Sequence, residues 1–162
     1  MYPEFSTPDR ENDYKSCVRQ SNEILIPRPL ALCFHYPEHP PEDDYLTNLT
    51  RELELKSRLF DRDREIHQLC WVSLDATVEP DEIEELLIAL SEPFFRFDDQ
   101  CAVGPIEGYE LVGMGLDLVG LGLGAISRIE NNFFQNTKDP NRYHVQLSQW
   151  RLPVARGYQR FS

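Results

Sequence analysis

Apolar positions along the chain fall into continuous runs and helical stripes that alternate. The run Leu30-Ala-Leu-Cys-Phe-His-Tyr36 is almost continuously apolar, rich in strand formers and bounded by Pro29 and Pro37, which predicts a buried strand. Pro40 and Pro41 then break the chain, and Glu42, Asp43 and Asp44 place negative charge where a helix N-terminus favours it. Leu46, Leu49, Leu53 and Phe60 follow at helical spacing, so a helix is expected from about 42 to 60. A second apolar run over 66–74 contains Leu69, Cys70, Trp71 and Val72 and predicts a strand covered on both faces. Ile83, Leu86, Leu87 and Leu90 form a further helical stripe, with Pro80 in the tolerated first turn. Strand, helix, strand, helix with buried strands is the pattern of parallel pairing with right-handed crossovers.

Beyond Ser91 the pattern changes. Phe94 to Asp99 reads as a loop or short strand, and Gly104-Pro105 as a turn. Gly113, Gly115, Gly120, Gly122 and Gly124 punctuate an apolar segment ending in Ala125-Ile126-Ser127, where missing side chains let backbone or ligand approach closely. A helix is expected around 138–149, after which Pro153 and Gly157 loosen the tail. Residues 1–28 are mixed polar, punctuated by Pro3, Pro8 and Pro27, and read as an arm wrapping the domain without a regular element.

A length of 162 residues suits one compact domain, and no fixed-period repeat suggests a solenoid. The net charge of -12 repels phosphate backbones and no basic run offsets it, so nucleic acid is not an expected partner. Met1 is followed by Tyr2, Pro3 and Glu4, without a basic and then apolar leader, and the glycine-rich stretch 111–126 is too short to span a bilayer. The expectation is a cytoplasmic protein with no membrane contact. Cys17, Cys33, Cys70 and Cys101 are scattered without a paired short spacing, which predicts free thiols.

Several clusters could carry chemistry, and each has a plainer explanation. Cys33, His35 and His39 beside Glu38, Glu42 and Asp43 offer zinc or haem-iron ligands, but the spacing is not that of a four-ligand site. A histidine bonded locally at a strand end accounts for them better. Asp75 with Glu79, or the acidic run 81–85, could act as paired carboxylates, although a helix-dipole role suffices. The glycines of G-L-G-L-G lack the G-x-G-x-x-G dinucleotide spacing, so close packing is preferred. No catalytic residue and no metal ligand is assigned.

The run Arg28-Pro-Leu-Ala-Leu-Cys-Phe-His-Tyr-Pro37 resembles the first barrel strand of oxygen-independent coproporphyrinogen III oxidases, which reads R-P-L-S-L-Y-V-H-I-P. Gln68-Leu69-Cys70-Trp71 is similar to that family's Q-L-H-W on strand two, and Asp117-Leu-Val-Gly-Leu-Gly-Leu-Gly-Ala-Ile-Ser127 to its D-L-L-G-M-G-V-S-A-I-S. Asp44-Tyr45-Leu46, Gln135-Asn136, Tyr143 and Arg156-Gly157 fall in step with the same pattern. The resemblance implies an α/β domain over 29–162 that is a partial or shortened radical-SAM-type β/α barrel, with a few parallel strands and flanking helices. Within it, 29–92 is a βαβα unit, 93–110 a junction and 111–162 a late-barrel-like segment.

The departures from the family set the functional expectation. Its C-x3-C-x2-C loop gives three thiolates to a four-iron cluster, whereas Glu38 to Asp44 here contain no cysteine. Its G-G-G-T-P after strand two is replaced by Val72, Ser73, Leu74, Asp75 and Ala76, whose side chains fill the approach to the cofactor. The resemblance therefore implies a pseudoenzyme with no iron–sulfur cluster and no resident cofactor, acting as a binding or regulatory protein linked to tetrapyrrole metabolism. Haem, S-adenosylmethionine or another tetrapyrrole are the ligands it leaves open, with Ala125 and Ile126 as the contact residues carried over. An enzyme with its cofactor supplied in trans and a pure interaction module are the alternatives. A barrel that cannot close leaves strand edges, so a homodimer or a protein partner is expected there.

Overall fold

A computed structural model describes residues 10–36, 44–73, 80–106 and 115–159. Four helices, α1 (Arg10–Asn22), α2 (Tyr45–Ser57), α3 (Pro80–Ser91) and α4 (Pro140–Ser148), accompany seven strands. The strands are β1 (Leu30–Tyr36), β2 (Ile66–Ser73), β3 (Phe97–Pro105), β4 (Asp117–Leu121), β5 (Ile126–Ile129), β6 (Asn132–Asn136) and β7 (Val154–Gln159). They form one sheet in the order β3-β2-β1-β4-β5-β6-β7. β1 pairs in parallel with β2 and β4, and β2 with β3, while β4 to β7 are antiparallel neighbours.

The parallel half follows the apolar runs. Leu30, Leu32 and Phe34 of β1 and Leu69 and Trp71 of β2 point to one face, where they meet Leu49 and Leu53 of α2 and Ile83 and Leu87 of α3. Alternate residues Ala31, Cys33, Cys70 and Leu118 form a separate cluster on the opposite face, joined only by Val72, Ile106 and Leu116. Among the described residues no helix packs on that second face, which is how a β/α barrel wall looks from inside.

Four expectations are corrected. The arm 1–28 contains a thirteen-residue helix, α1, because Tyr14, Val18 and Ser21 form a thin buried stripe that its polar neighbours mask. The ring of Tyr14 meets Phe134 of β6 edge-on at 5.2 Å, so α1 belongs to the core. The junction 93–110 holds the nine-residue strand β3, which is an edge of the sheet. The tail beyond Pro153 is ordered as β7, hydrogen-bonded along β6. The glycine-rich stretch, seen from sequence as one apolar segment, supplies β4 and then turns back into β5 and β6; the latter part of the sheet is thus antiparallel. Tight turns explain this: Glu130 holds a positive φ of 58° between β5 and β6, and its N–H donates to Asp117 Oδ1 at 3.0 Å.

Candidate ligand-binding face

Behind β4, on the helix-covered side, a buried polar cluster fixes the loop at the strand's end. Glu52 and Lys56, one turn apart on α2 and both fully buried, pair at 2.7 Å. Glu52 Oε1 also accepts from Gly122 N at 2.9 Å and from the Tyr143 hydroxyl at 2.8 Å, while Oε2 accepts from Asn136 Nδ2 at 2.7 Å. Lys56 donates to the Gly120 carbonyl at 2.7 Å and stands 5.1 Å from the Tyr14 ring centroid. Burial and the neighbouring Glu52 charge hold the Tyr143 hydroxyl well above its usual pKa. Every oxygen and ammonium direction is thereby occupied, so this cluster is a clamp and not an acid–base site. A second buried pair, Arg64 and Asp117 at 2.7 Å, anchors the other end of β4.

The clamp presents 122–126 at the C-terminal ends of β1 and β4, the end at which open parallel sheets carry their ligands. His35 Nδ1 bonds the Leu123 carbonyl, and the Tyr45 hydroxyl donates to the His35 carbonyl at 2.9 Å while accepting from Leu123 N at 2.9 Å. A Cβ on Gly122 would lie 2.5 Å from the His35 carbonyl oxygen, and Gly122 also has a φ of 110°, so only glycine fits. His35 is thus hydrogen-bonded at its strand end, to the loop after β4 and not to a neighbour in sequence. His39, Glu38, Glu42, Asp43, Asp75, Glu79 and Gly113 lie outside the described residues. Asp81, Glu82 and Glu85 are exposed on the first turns of α3.

The face of the antiparallel half on which no described helix packs gathers side chains that sequence reasoning did not single out as a site. Ile126 is paired with Gln135 and Gln135 with Arg156; Arg128 is paired with Phe133 and Phe133 with Tyr158. Paired residues share a face, so two rows of three side chains lie side by side across β5, β6 and β7. A groove of about 480 Å³ runs over them, lined by Ile126, Phe133, Phe134, Gln135 and Tyr158. The Arg156 guanidinium sits 5.3 Å from the Tyr158 ring centroid, and Arg128 donates to the Leu116 carbonyl at 3.3 Å. Of the two residues carried over from the resemblance, Ile126 lines this groove. Ala125 is buried, its N–H donating to the Gly122 carbonyl at 3.2 Å and its carbonyl accepting from Asn136 N at 2.9 Å. The run 126–135 shows no apolar alternation, so Phe133 had no signal of its own in the sequence.

The four cysteines divide between the faces. Cys17 and Cys101 pack toward the helix-covered core, whereas Cys33 and Cys70 lie opposite each other on β1 and β2 on the bare face. A hydrogen bond with Cys70 and then burial raise the Cys33 thiol far above its usual pKa, so it stays protonated. This donor set does not fit the three converging thiolates of a radical-chemistry cluster.

The fold is a mixed α/β sheet, parallel in one half and antiparallel in the other, with the described helices on one face. A solved structure described as coproporphyrinogen III oxidase (HemN) from Escherichia coli, a radical SAM enzyme, has this fold, with a TM-score of 0.72 over 99% of this chain and 77% of that one at 12% identity. No protein-family model and no curated protein sequence matches the chain. Among the described residues no helix is long and apolar enough to cross a membrane.

Proposed function

We propose that the chain binds a tetrapyrrole on the bare face of its sheet and performs no radical chemistry on it. The observation that carries the reading is the side-by-side placement of Phe133, Tyr158 and Ile126 with Arg128 and Arg156. A flat apolar macrocycle with peripheral carboxylates needs aromatic surface for its ring and guanidinium groups for its rim. The likeness in fold to a coproporphyrinogen oxidase supports that ligand class. The division of the cysteines between two faces supports a pseudoenzyme, since no three of them approach one cluster. Ile126 is the contact we retain from the sequence; Ala125 supports it from beneath. The outer edge of β3, which has no neighbouring strand among the described residues, suits strand addition by a second copy or a partner.

Titration with coproporphyrin III and with haem, followed by Soret absorbance, tests the reading. One-to-one saturable binding is expected, weakened about tenfold or more in Phe133→Ala/Tyr158→Ala, with an unchanged far-ultraviolet dichroism spectrum. Absence of saturation with both porphyrins, or undiminished binding by the double variant, would sink it. Light scattering on the same samples reports whether the β3 edge brings two copies together.

A further inference from the structure

Away from the groove, the first turn of α1, one face of α4 and the start of β7 enclose a cavity of about 400 Å³. Arg10, Arg142 and Arg151 line it together with Gln146 and Thr137, and its single acidic lining residue is Glu11. Three guanidinium groups around one cavity are notable on a chain of net charge -12, whose average field expels anions.

Glu11 does not neutralise this cluster. One of its carboxylate oxygens accepts from the Leu152 backbone N–H, and the other faces Arg151 Nε at 3.7 Å and Lys15 Nζ at 3.9 Å, so its charge is already shared between two cations. Arg142 has no ion pair or hydrogen-bond partner among the described residues, and it shares the exposed side of α4 with Gln146 one turn on. Thr137 also lines the cavity. It is only 5% exposed, and its hydroxyl oxygen accepts from Asp139 N at 3.1 Å. A cavity walled by three guanidinium groups, with Arg10 held by Asp13 at 3.3 Å and Arg142 without a partner among the described residues, is an arrangement that an oxyanion completes. The N-terminal turn of α1 adds its positive dipole end on the same side.

We propose that this cavity is a binding site for a phosphate group, held by Arg142 and Arg151 with the Thr137 hydroxyl. The recognised group is a dianionic phosphate monoester, carried either by a soluble small molecule or by a lipid headgroup. The site is separate from the groove, since no residue is common to the two linings.

Isothermal titration calorimetry with inorganic phosphate and with methyl phosphate, in chloride buffer, tests the site on the full chain. Saturable binding at millimolar concentration or below is expected, weakened tenfold or more in Arg142→Gln/Arg151→Gln and unchanged in Arg62→Gln, a control remote from the cavity. Thr137→Ser should keep the affinity and Thr137→Val should lower it, at an unchanged unfolding midpoint for the serine variant. Flotation with vesicles containing phosphatidic acid, compared with pure phosphatidylcholine, separates the headgroup from the soluble source. The absence of saturation by either phosphate, or a double variant within twofold of the parent, overturns the proposal.

Discussion

The two faces of the sheet use polar and apolar residues in opposite ways. On the covered face the charges are internal: Glu52 answers Lys56, Tyr143, Asn136 and Gly122, and Arg64 answers Asp117 and Ser21. On the bare face the middle of the sheet is small, with Ala31, Cys33, Cys70 and Gly120, and the aromatic and guanidinium groups gather at one side. The contrast teaches that a charged residue in a core is no sign of a site. Saturation of its hydrogen bonds is the criterion, and the groups of the Glu52 cluster meet it whereas those lining the groove over β5, β6 and β7 face open space among the described residues.

Removing one member of the covered-face cluster should have the largest effect. Glu52→Ala leaves Lys56 charged and buried beside three orphaned donors, and denaturant unfolding should register a loss of about 3–5 kcal/mol. A loss near zero would mean that the clamp is not what holds the loop. Next is Gly120→Ala, whose new Cβ would meet the Ile126 carbonyl oxygen at 2.2 Å and force β4 from β5. It should cost about 1–3 kcal/mol and, unlike Glu52→Ala, should also disturb the groove through Ile126, which porphyrin titration would detect. Smaller still is the alkaline behaviour of Cys17, whose thiol burial and then Asp13 push up from 9.0 to about 11. The folded chain retains this proton over a range where the unfolded chain has lost it. The contribution is therefore complete below pH 9 and declines as pH rises toward 11. Cys17→Ala should flatten stability against pH in that window, and an identical slope in the variant would contradict the assigned environment. The smallest effect on stability is expected from Phe133→Ala on the β5–β7 face, below about 1 kcal/mol, in contrast to the loss of porphyrin binding that the proposed function expects.

Legibility from sequence follows the same division. β1, β2, α2 and α3 announce themselves because each carries a long run or a stripe such as Leu49 and Leu53 or Ile83 and Leu87. The half beyond β4 is built from strands of four to six residues, with Asn132, Gln135, Asn136 and Ser127 inside them, too short and too polar for a period to emerge. Its turn at Glu130 lacks the glycine that usually advertises a positive φ. Ile126 was reachable through the resemblance; Phe133 and Tyr158 were not, since their proximity exists only once β6 pairs with β7.

The strand order has a consequence for how the chain comes into being. β1 precedes every other strand yet lies between β2 and β4, so Leu30 to Phe34 gain both neighbours only once translation has passed Leu121. α1 precedes even β1 but packs beside β5 and β7, so its apolar stripe stays unsheltered longer still. A nascent chain stalled before Val154 would therefore expose Tyr14 and Val18 together with a half-paired β6, the combination that holdase chaperones recognise.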